Sequence, residues 1–172
     1  DIYNINKNAI EGLNFKDPKI RSLDQSRIGA ILNNELTSLK GGPKVKALLI
    51  QNTNPLVVAP ETIEVRKGFK REDLFVCVHE QFITETAKYA DVLLPATSFV
   101  EHDDIYISGG HQHLSYGPKL IKNIGNSWSN NKLINELGKG LESKNTCFKL
   151  EEKSLIDVTL KKSNLGSYDS IK

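Results

Sequence analysis

Three short apolar runs alternate with two helical patterns within residues 45–95, and this alternation constrains the fold more than any other feature of the sequence. The apolar runs are Val45–Ile50, Leu74–Val78 and Asp91–Pro95. Helical patterns occupy Pro60–Lys70 and Thr84–Tyr89 between them. Strands that alternate with helices in this way form parallel sheets with right-handed crossovers, and runs without polar alternation indicate strands covered on both faces. We therefore predict an α/β fold with a Rossmann-like open parallel sheet in three layers.

The sequence on either side of this alternation predicts less regular structure. Residues 1–44 are rich in Asn, Lys and Asp and predict an irregular arm with one short helix, from Arg27 to about Leu36. Residues 45–160 predict one α/β domain whose C-terminal part is helical. The polar stretch 161–172 predicts a frayed tail.

Composition excludes several classes of protein. The chain carries 23 Lys and Arg against 21 Asp and Glu, which argues against the basic surface of a nucleic-acid-binding protein. No apolar run approaches the roughly 20 residues that span a membrane, and no signal peptide is visible, so a cytoplasmic location is expected. The chain begins at Asp1 and contains no methionine, which indicates a piece of a longer polypeptide.

Two of the predicted strands end in polar residues, and ligands of open parallel sheets bind beyond these carboxyl ends. Asn52 and Asn54 follow the first strand, and His79 and Glu80 follow the second. A carboxylate can accept hydrogen bonds from two ribose hydroxyls, and asparagine amides suit a purine. Helix-opening Thr84 and Thr86 suit a phosphate. Taken alone, this spacing favours the plainer alternative, that these are turn and cap residues.

Other sites are weaker candidates. No glycine-rich phosphate motif is present, which argues against a nicotinamide dinucleotide site. A metal site is conceivable from the histidines and aspartates at His102, Asp103, Asp104, His111 and His113. Carboxylates and imidazoles more often serve as hairpin-surface or ligand-contact groups, so we predict no metal site. Cys77 lies inside an apolar strand, where a thiol is usually inert, and two cysteines make neither a disulfide framework nor a thiolate metal site.

Four motifs in fixed order carry a resemblance to a known family. They read ALLIQNTNPL at 47–56, LFVCVHEQFITETA at 74–87, ADVLLPAT at 90–97 and EHDD at 101–104. Together they resemble the molybdopterin oxidoreductases, the enzymes of the dimethyl-sulfoxide-reductase and formate-dehydrogenase type. The resemblance extends over roughly residues 1–160.

The resemblance implies a cofactor and a set of residues that bind it. Members of the family hold molybdenum between two molybdopterin guanine dinucleotides, and a segment like this one belongs to the α/β domain that grips the guanosine of one dinucleotide. By position, Glu80 is the expected partner of the ribose or the guanine. The expected cofactor-binding residues are Asn52, Asn54, His79, Glu80, Thr84, Thr86 and Asp91.

The resemblance also implies that this chain is one part of an enzyme. The molybdenum ligand and the C-terminal barrel of the family have no counterpart here, so we expect no catalytic residue, no bound cofactor and no activity in the isolated segment. Its expected partners are the remaining domains of the same polypeptide. In the intact enzyme we also expect a small-molecule substrate and an electron-transfer partner. We expect no nucleic-acid partner and no membrane span. The alternative is a stand-alone α/β module that binds a nucleotide or a protein without catalysis.

Overall fold

The computed structural model describes residues 17–107, 110 and 113–172, and these divide into two compact units. The first unit is residues 18–96, and residues 97–172 belong to the second. The helix of the predicted arm packs against a helix that flanks the sheet, so it belongs to the first unit. The domain boundaries predicted near residues 44 and 160 follow from changes in residue composition along the chain, whereas the two units are defined by contacts. These boundaries stay a prediction.

A three-stranded parallel sheet forms the centre of the first unit. Its elements in chain order are α1 (Ile28–Leu32), β1 (Ala47–Gln51), α2 (Pro55–Val58), α3 (Thr62–Phe69), β2 (Phe75–Glu80) and β3 (Val92–Pro95). The strands lie in the order β1–β2–β3, with Ile50 opposite Val78 and Val78 opposite Leu93. The predicted α/β class and the parallel sheet are confirmed.

The core of the first unit lies between one face of the sheet and its helices. Ile50 of β1 and Val76 and Val78 of β2 pack in one buried cluster with Leu32 of α1 and Val65 of α3. The opposite face of the sheet is more open. Leu49, Phe75 and Val92 retain 44%, 49% and 38% of their exposure there. Within residues 18–96, helices therefore cover one face of the sheet.

Close packing of α1 on α3 depends on a glycine. A Cβ atom at Gly68 of α3 would lie 2.4 Å from the Cβ of Leu32, which is fully buried. The side chain of Asn33 donates to the carbonyl oxygens of Gly29 and Glu64, both at 2.8 Å. Asn34 then adopts a left-handed backbone with φ 66°. These two asparagines end α1 at Leu32, four residues earlier than predicted.

Three other elements of the first unit differ from their predicted bounds. The segment after β1 forms the short helix α2, which has Pro55 as its first residue, where the missing N–H costs nothing. Helix α3 begins at Thr62 because Glu61 has a left-handed φ of 56°. The predicted helix 84–89 is a single 3-10 turn, Ala87–Tyr89.

The second unit combines a small antiparallel pair with helices. Its elements are β4 (Asp104–Tyr106), β5 (Ser115–Gly117), α4 (Asn130–Gly140), a 3-10 helix (Thr146–Lys149), α5 (Glu152–Lys162) and α6 (Tyr168–Ile171). Helix α6 occupies the tail that we expected to fray. The hydroxyls of Tyr168 and Tyr116 lie 2.6 Å apart, and the edge-to-face contact of their rings fixes α6 against β5. In the described part of the chain, every helix is too short or too polar to cross a membrane.

Candidate nucleotide-binding site

The carboxyl ends of β1 and β2 bring four of the predicted residues to one edge of the sheet. Gln51 and His79 are paired across the two strands, and Glu80 is the last residue of β2. Asn52 and Asn54 follow β1 directly. This juxtaposition is a consequence of the parallel register, because parallel strands end at the same edge.

Glu80 is the most available acidic group at this edge. Its Oε1 accepts a hydrogen bond from the backbone N–H of Gln81 at 2.7 Å, which fixes the orientation of the carboxylate. Its Oε2 makes no hydrogen bond with the described residues, and the side chain is partly exposed. One oxygen is thus positioned by the protein and the other is free to accept from a ligand.

His79 lies at the same edge but is buried. Its side chain is 1% exposed, and its Nδ1 lies 3.3 Å from Nε2 of Gln51 on the neighbouring strand. The imidazole is therefore better placed to orient the strand ends than to contact a ligand directly. Gln51 is not among the predicted cofactor-binding residues, although its position opposite His79 follows from aligning the two strand ends.

Asn54 and Thr86 bind each other. Oδ1 of Asn54 accepts from the hydroxyl of Thr86 at 2.7 Å and from its backbone N–H at 3.2 Å. Oγ1 of Thr86 accepts in turn from the backbone N–H of Leu56 at 3.1 Å. Thr86 is fully buried. The pair joins the loop after β1 to the loop after β2 and holds both at the edge of the sheet.

Asn52 and Thr84 complete the edge. Asn52 is exposed and has a left-handed φ of 55°, a conformation that asparagine tolerates better than most residues. Oγ1 of Thr84 accepts from the N–H of Ala87 at 3.2 Å and so caps the 3-10 turn. The alternative that these are turn and cap residues therefore describes Thr84 in part, whereas Thr86 stands at the N-cap position of the turn without a side-chain cap bond. Asn52 is the exposed residue of this edge, and Glu80 keeps one carboxylate oxygen open to a ligand.

Asp91 is not brought to this edge. It precedes β3, and its Oδ2 accepts from the backbone N–H of Val76 at 2.7 Å. Val76 is the second residue of β2, so Asp91 lies at the amino end of the sheet. Glu80 lies four positions after Val76 along the strand, roughly 13 Å away. The hydrogen bond of Asp91 aligns β3 with β2, away from the other predicted residues.

In the second unit, two of the candidate metal ligands, His102 and Asp103, are held by hydrogen bonds within the protein. His102 contacts the hydroxyl of Thr97 through Nδ1 at 2.8 Å, and Asp103 accepts from Tyr116 and from the N–H of Lys119. Across residues 17–107, 110 and 113–172, no three His, Cys, Asp or Glu side chains cluster as a metal site would require. His111 lies outside the described residues.

Glu101 is a buried carboxylate that no site prediction included. It is 4% exposed, and it accepts from the backbone N–H of Ser98 at 2.7 Å and of Ile124 at 2.6 Å. The hydroxyl of Ser127 also donates to it, at 3.2 Å. The hydrogen bond from Ser98, followed by that from Ile124, lowers the pKa of Glu101 from 4.5 to about 2. An ionised Glu101 thus joins two loops of the second unit.

Comparison with known proteins agrees with the sequence motifs. Residues 3–140 match the family model of the molybdopterin oxidoreductases, which is most of the chain. The chain belongs to the molybdopterin oxidoreductase family. It is 39% identical over 141 residues to Probable oxidoreductase YoaE of Bacillus subtilis (strain 168), a match that covers 81% of this chain and 20% of that protein.

Two further proteins are similar to this chain, one in sequence over a shorter segment and one in fold. Formate dehydrogenase H of Escherichia coli (strain K12) is 41% identical over 63 residues, which cover 37% of this chain and 9% of that enzyme. The fold is similar to that of acetylene hydratase from Pelobacter acetylenicus, with a TM-score of 0.63 and 19% identity over 83% of this chain and 19% of the hydratase. The chain thus spans about a fifth or less of the length of these proteins. Membership of the family implies a molybdenum–pterin cofactor.

Proposed function

We propose that this chain is the part of a molybdenum-dependent oxidoreductase that binds the guanosine of a molybdopterin guanine dinucleotide. The observation that carries the proposal is the carboxylate of Glu80, which has one oxygen held by Gln81 and the other free at the carboxyl edge of the sheet. A carboxylate placed in this way fits the vicinal hydroxyls of a ribose or the N–H groups of a guanine.

The remaining residues of the edge would support the same ligand. Asn52 offers an exposed amide with both donor and acceptor groups. The buried bond between Asn54 and Thr86 holds the two loops together, so that the ligand meets a preformed surface. In the loaded enzyme the molybdenum supplies the redox centre, and the residues of this segment bind and orient the distant nucleotide end.

The substrate of the whole protein is proposed to be selected elsewhere in the polypeptide. Matching segments occur in proteins named as an assimilatory nitrate reductase, formate dehydrogenases and a trimethylamine-N-oxide reductase. Because these proteins have such different names, we expect the segment that they share to perform a function common to all of them. Holding the nucleotide end of a shared cofactor is such a function.

Calorimetric titration of the 172-residue chain with GMP tests the proposal. We expect weak binding, with a Kd on the order of 1 mM, because the chain contacts only one side of the nucleotide. Glu80→Ala removes a charge-assisted hydrogen bond worth about 1.5–3 kcal/mol, which lowers the affinity roughly 10- to 150-fold. Glu72→Ala is the matched control, since Glu72 is exposed and precedes the amino end of β2. Equal affinities of both variants and the wild type would contradict the proposal.

A holoenzyme that contains this segment permits a second test. Glu80→Ala should lower the content of molybdenum and of GMP released on denaturation, while the turnover per bound molybdenum stays close to that of the wild type. Full cofactor content with a collapse of turnover per metal would instead make Glu80 part of the catalytic machinery.

A further inference from the structure

Two large apolar side chains are exposed at the same edge of the sheet. Phe82 and Ile83 are 72% and 73% exposed, and they lie in the short loop between Glu80 and Thr84. Exposed apolar side chains are common singly, but an exposed phenylalanine beside an exposed isoleucine costs solubility and invites a partner. Their position, between the free carboxylate and the capping threonine, connects them with the nucleotide edge.

The backbone of this loop is held on both sides of Phe82. The N–H of Gln81 donates to Oε1 of Glu80 at 2.7 Å, and the N–H of Thr84 donates to the carbonyl oxygen of Phe82 at 2.9 Å. Beyond Thr84, the buried bond between Thr86 and Asn54 holds the loop to β1. The point from which the ring of Phe82 projects is therefore fixed relative to Glu80.

The ring itself has no aromatic partner in the described part of the chain. Among those residues, the rings that contact one another are those of Phe69 with Tyr89 and of Tyr116 with Tyr168. Phe82 thus presents a free aromatic face two residues from the carboxylate that would bind the ribose or the guanine edge. A purine stacks on such a face whatever its hydrogen-bonding groups, and the contact contributes substantially to affinity.

We propose that Phe82 is a stacking residue for the purine base of the bound nucleotide, with Ile83 flanking it. This inference rests on the proposed function and assigns separate roles to Glu80 and Phe82. Glu80 would recognise the ribose or the base edge through hydrogen bonds, and Phe82 would hold the plane of the base. Phe82 would then determine the preference for a purine over a smaller pyrimidine.

The experiment is a titration of the 172-residue chain with GMP, followed by proton NMR. Phe82→Leu keeps an apolar side chain but removes the ring, whereas Phe82→Trp keeps a stacking face. Phe99→Leu is the control, because Phe99 is 67% exposed in the second unit. We expect roughly 5- to 100-fold weaker binding for Phe82→Leu and binding close to wild type for the other two variants.

The chemical shift of guanine H8 gives a readout that a structural defect would not imitate. Stacking on a phenylalanine or tryptophan ring should move H8 upfield on binding to the wild type and to Phe82→Trp, but not to Phe82→Leu. If Phe82→Leu binds GMP as the wild type does while Glu80→Ala binds weakly, the stacking role is overturned and the proposed function stands. If the wild type shows no response to GMP at roughly 10-fold above the expected Kd of about 1 mM, both are overturned.

Discussion

The hydroxyl of Thr86 donates to Oδ1 of Asn54 at 2.7 Å, and this buried bond joins the loops that follow the first two strands. Both residues belong to the set that sequence analysis assigned to cofactor binding. Thr86 is fully buried, so its contribution is to position the exposed residues around it. The candidate site therefore consists of exposed Asn52 and partly exposed Glu80, beside loops that buried polar groups hold in place.

Removing the Thr86 hydroxyl should destabilise the chain. Thr86→Val keeps the shape of the side chain but leaves the N–H of Leu56 and Oδ1 of Asn54 without this partner. We expect a loss of about 1–3 kcal/mol in the free energy of unfolding, measured by urea denaturation. Thr86→Ser keeps the hydroxyl and should retain more of the stability. Equal stability of the Val variant and the wild type would show that the bond is not needed.

The contact between α1 and α3 should not tolerate a methyl group at Gly68. An added Cβ would lie 2.4 Å from the Cβ of Leu32, and relief of this overlap costs about 1–3 kcal/mol. Gly140 at the end of α4 is the matched control, since a Cβ there meets nothing within 4 Å. Gly68→Ala should lower Tm in a thermal scan, and Gly140→Ala should leave it unchanged or raise it. The opposite order would contradict the close packing of α1 on α3 at Gly68.

Glu101 should make stability depend on pH. Its pKa in the folded chain is about 2, below the usual 4.5, so the ionised form stabilises the fold. This contribution is complete above about pH 5 and is lost as the pH falls towards about 2. Glu101→Gln should therefore lower Tm at neutral pH and lower it by less at about pH 3. A difference in Tm between wild type and variant that does not change with pH would contradict the role of the charge.

Cys77 should react slowly with alkylating reagents. It lies half-buried in the middle strand, and burial raises the pKa of its thiol, which leaves less of the reactive thiolate at neutral pH. The variant Cys147→Ser isolates this thiol, because the chain has two cysteines. Its alkylation at neutral pH should be slower in the folded chain than in concentrated guanidinium chloride, which exposes the strand. Equal rates would show that the strand does not protect the thiol.

The sequence predicted the sheet because its signal is local. Each strand is a short apolar run, and the three runs need only the handedness of the crossovers to be placed side by side. The ends of helices are harder to predict where a side chain takes up hydrogen bonds that the helix backbone would otherwise make. Asn33 ends α1 by donating to the carbonyl oxygens of Gly29 and Glu64, and the second of these is distant in sequence.

The candidate site was predictable in position and less so in the role of each residue. Polar residues at the ends of β1 and β2 indicated the edge, since parallel strands end together. Burial could not be deduced from residue type, and it separates Thr86 and His79 from Glu80. Asp91 follows Thr84 by seven positions in the sequence and yet lies at the opposite end of the sheet, because the connection from β2 to β3 returns to the amino end before β3 begins.

The most direct test of guanosine binding at the carboxyl edge is to map GMP binding on the isotopically labelled chain by amide chemical shifts. We expect shifts concentrated at the carboxyl edge, at Asn52 and from Glu80 to Thr84, with the amides of Val76 and Asp91 at the amino edge unchanged. Shifts centred on the amino edge or in the second unit, or no response to GMP at all, would contradict the assignment of this edge to the guanosine.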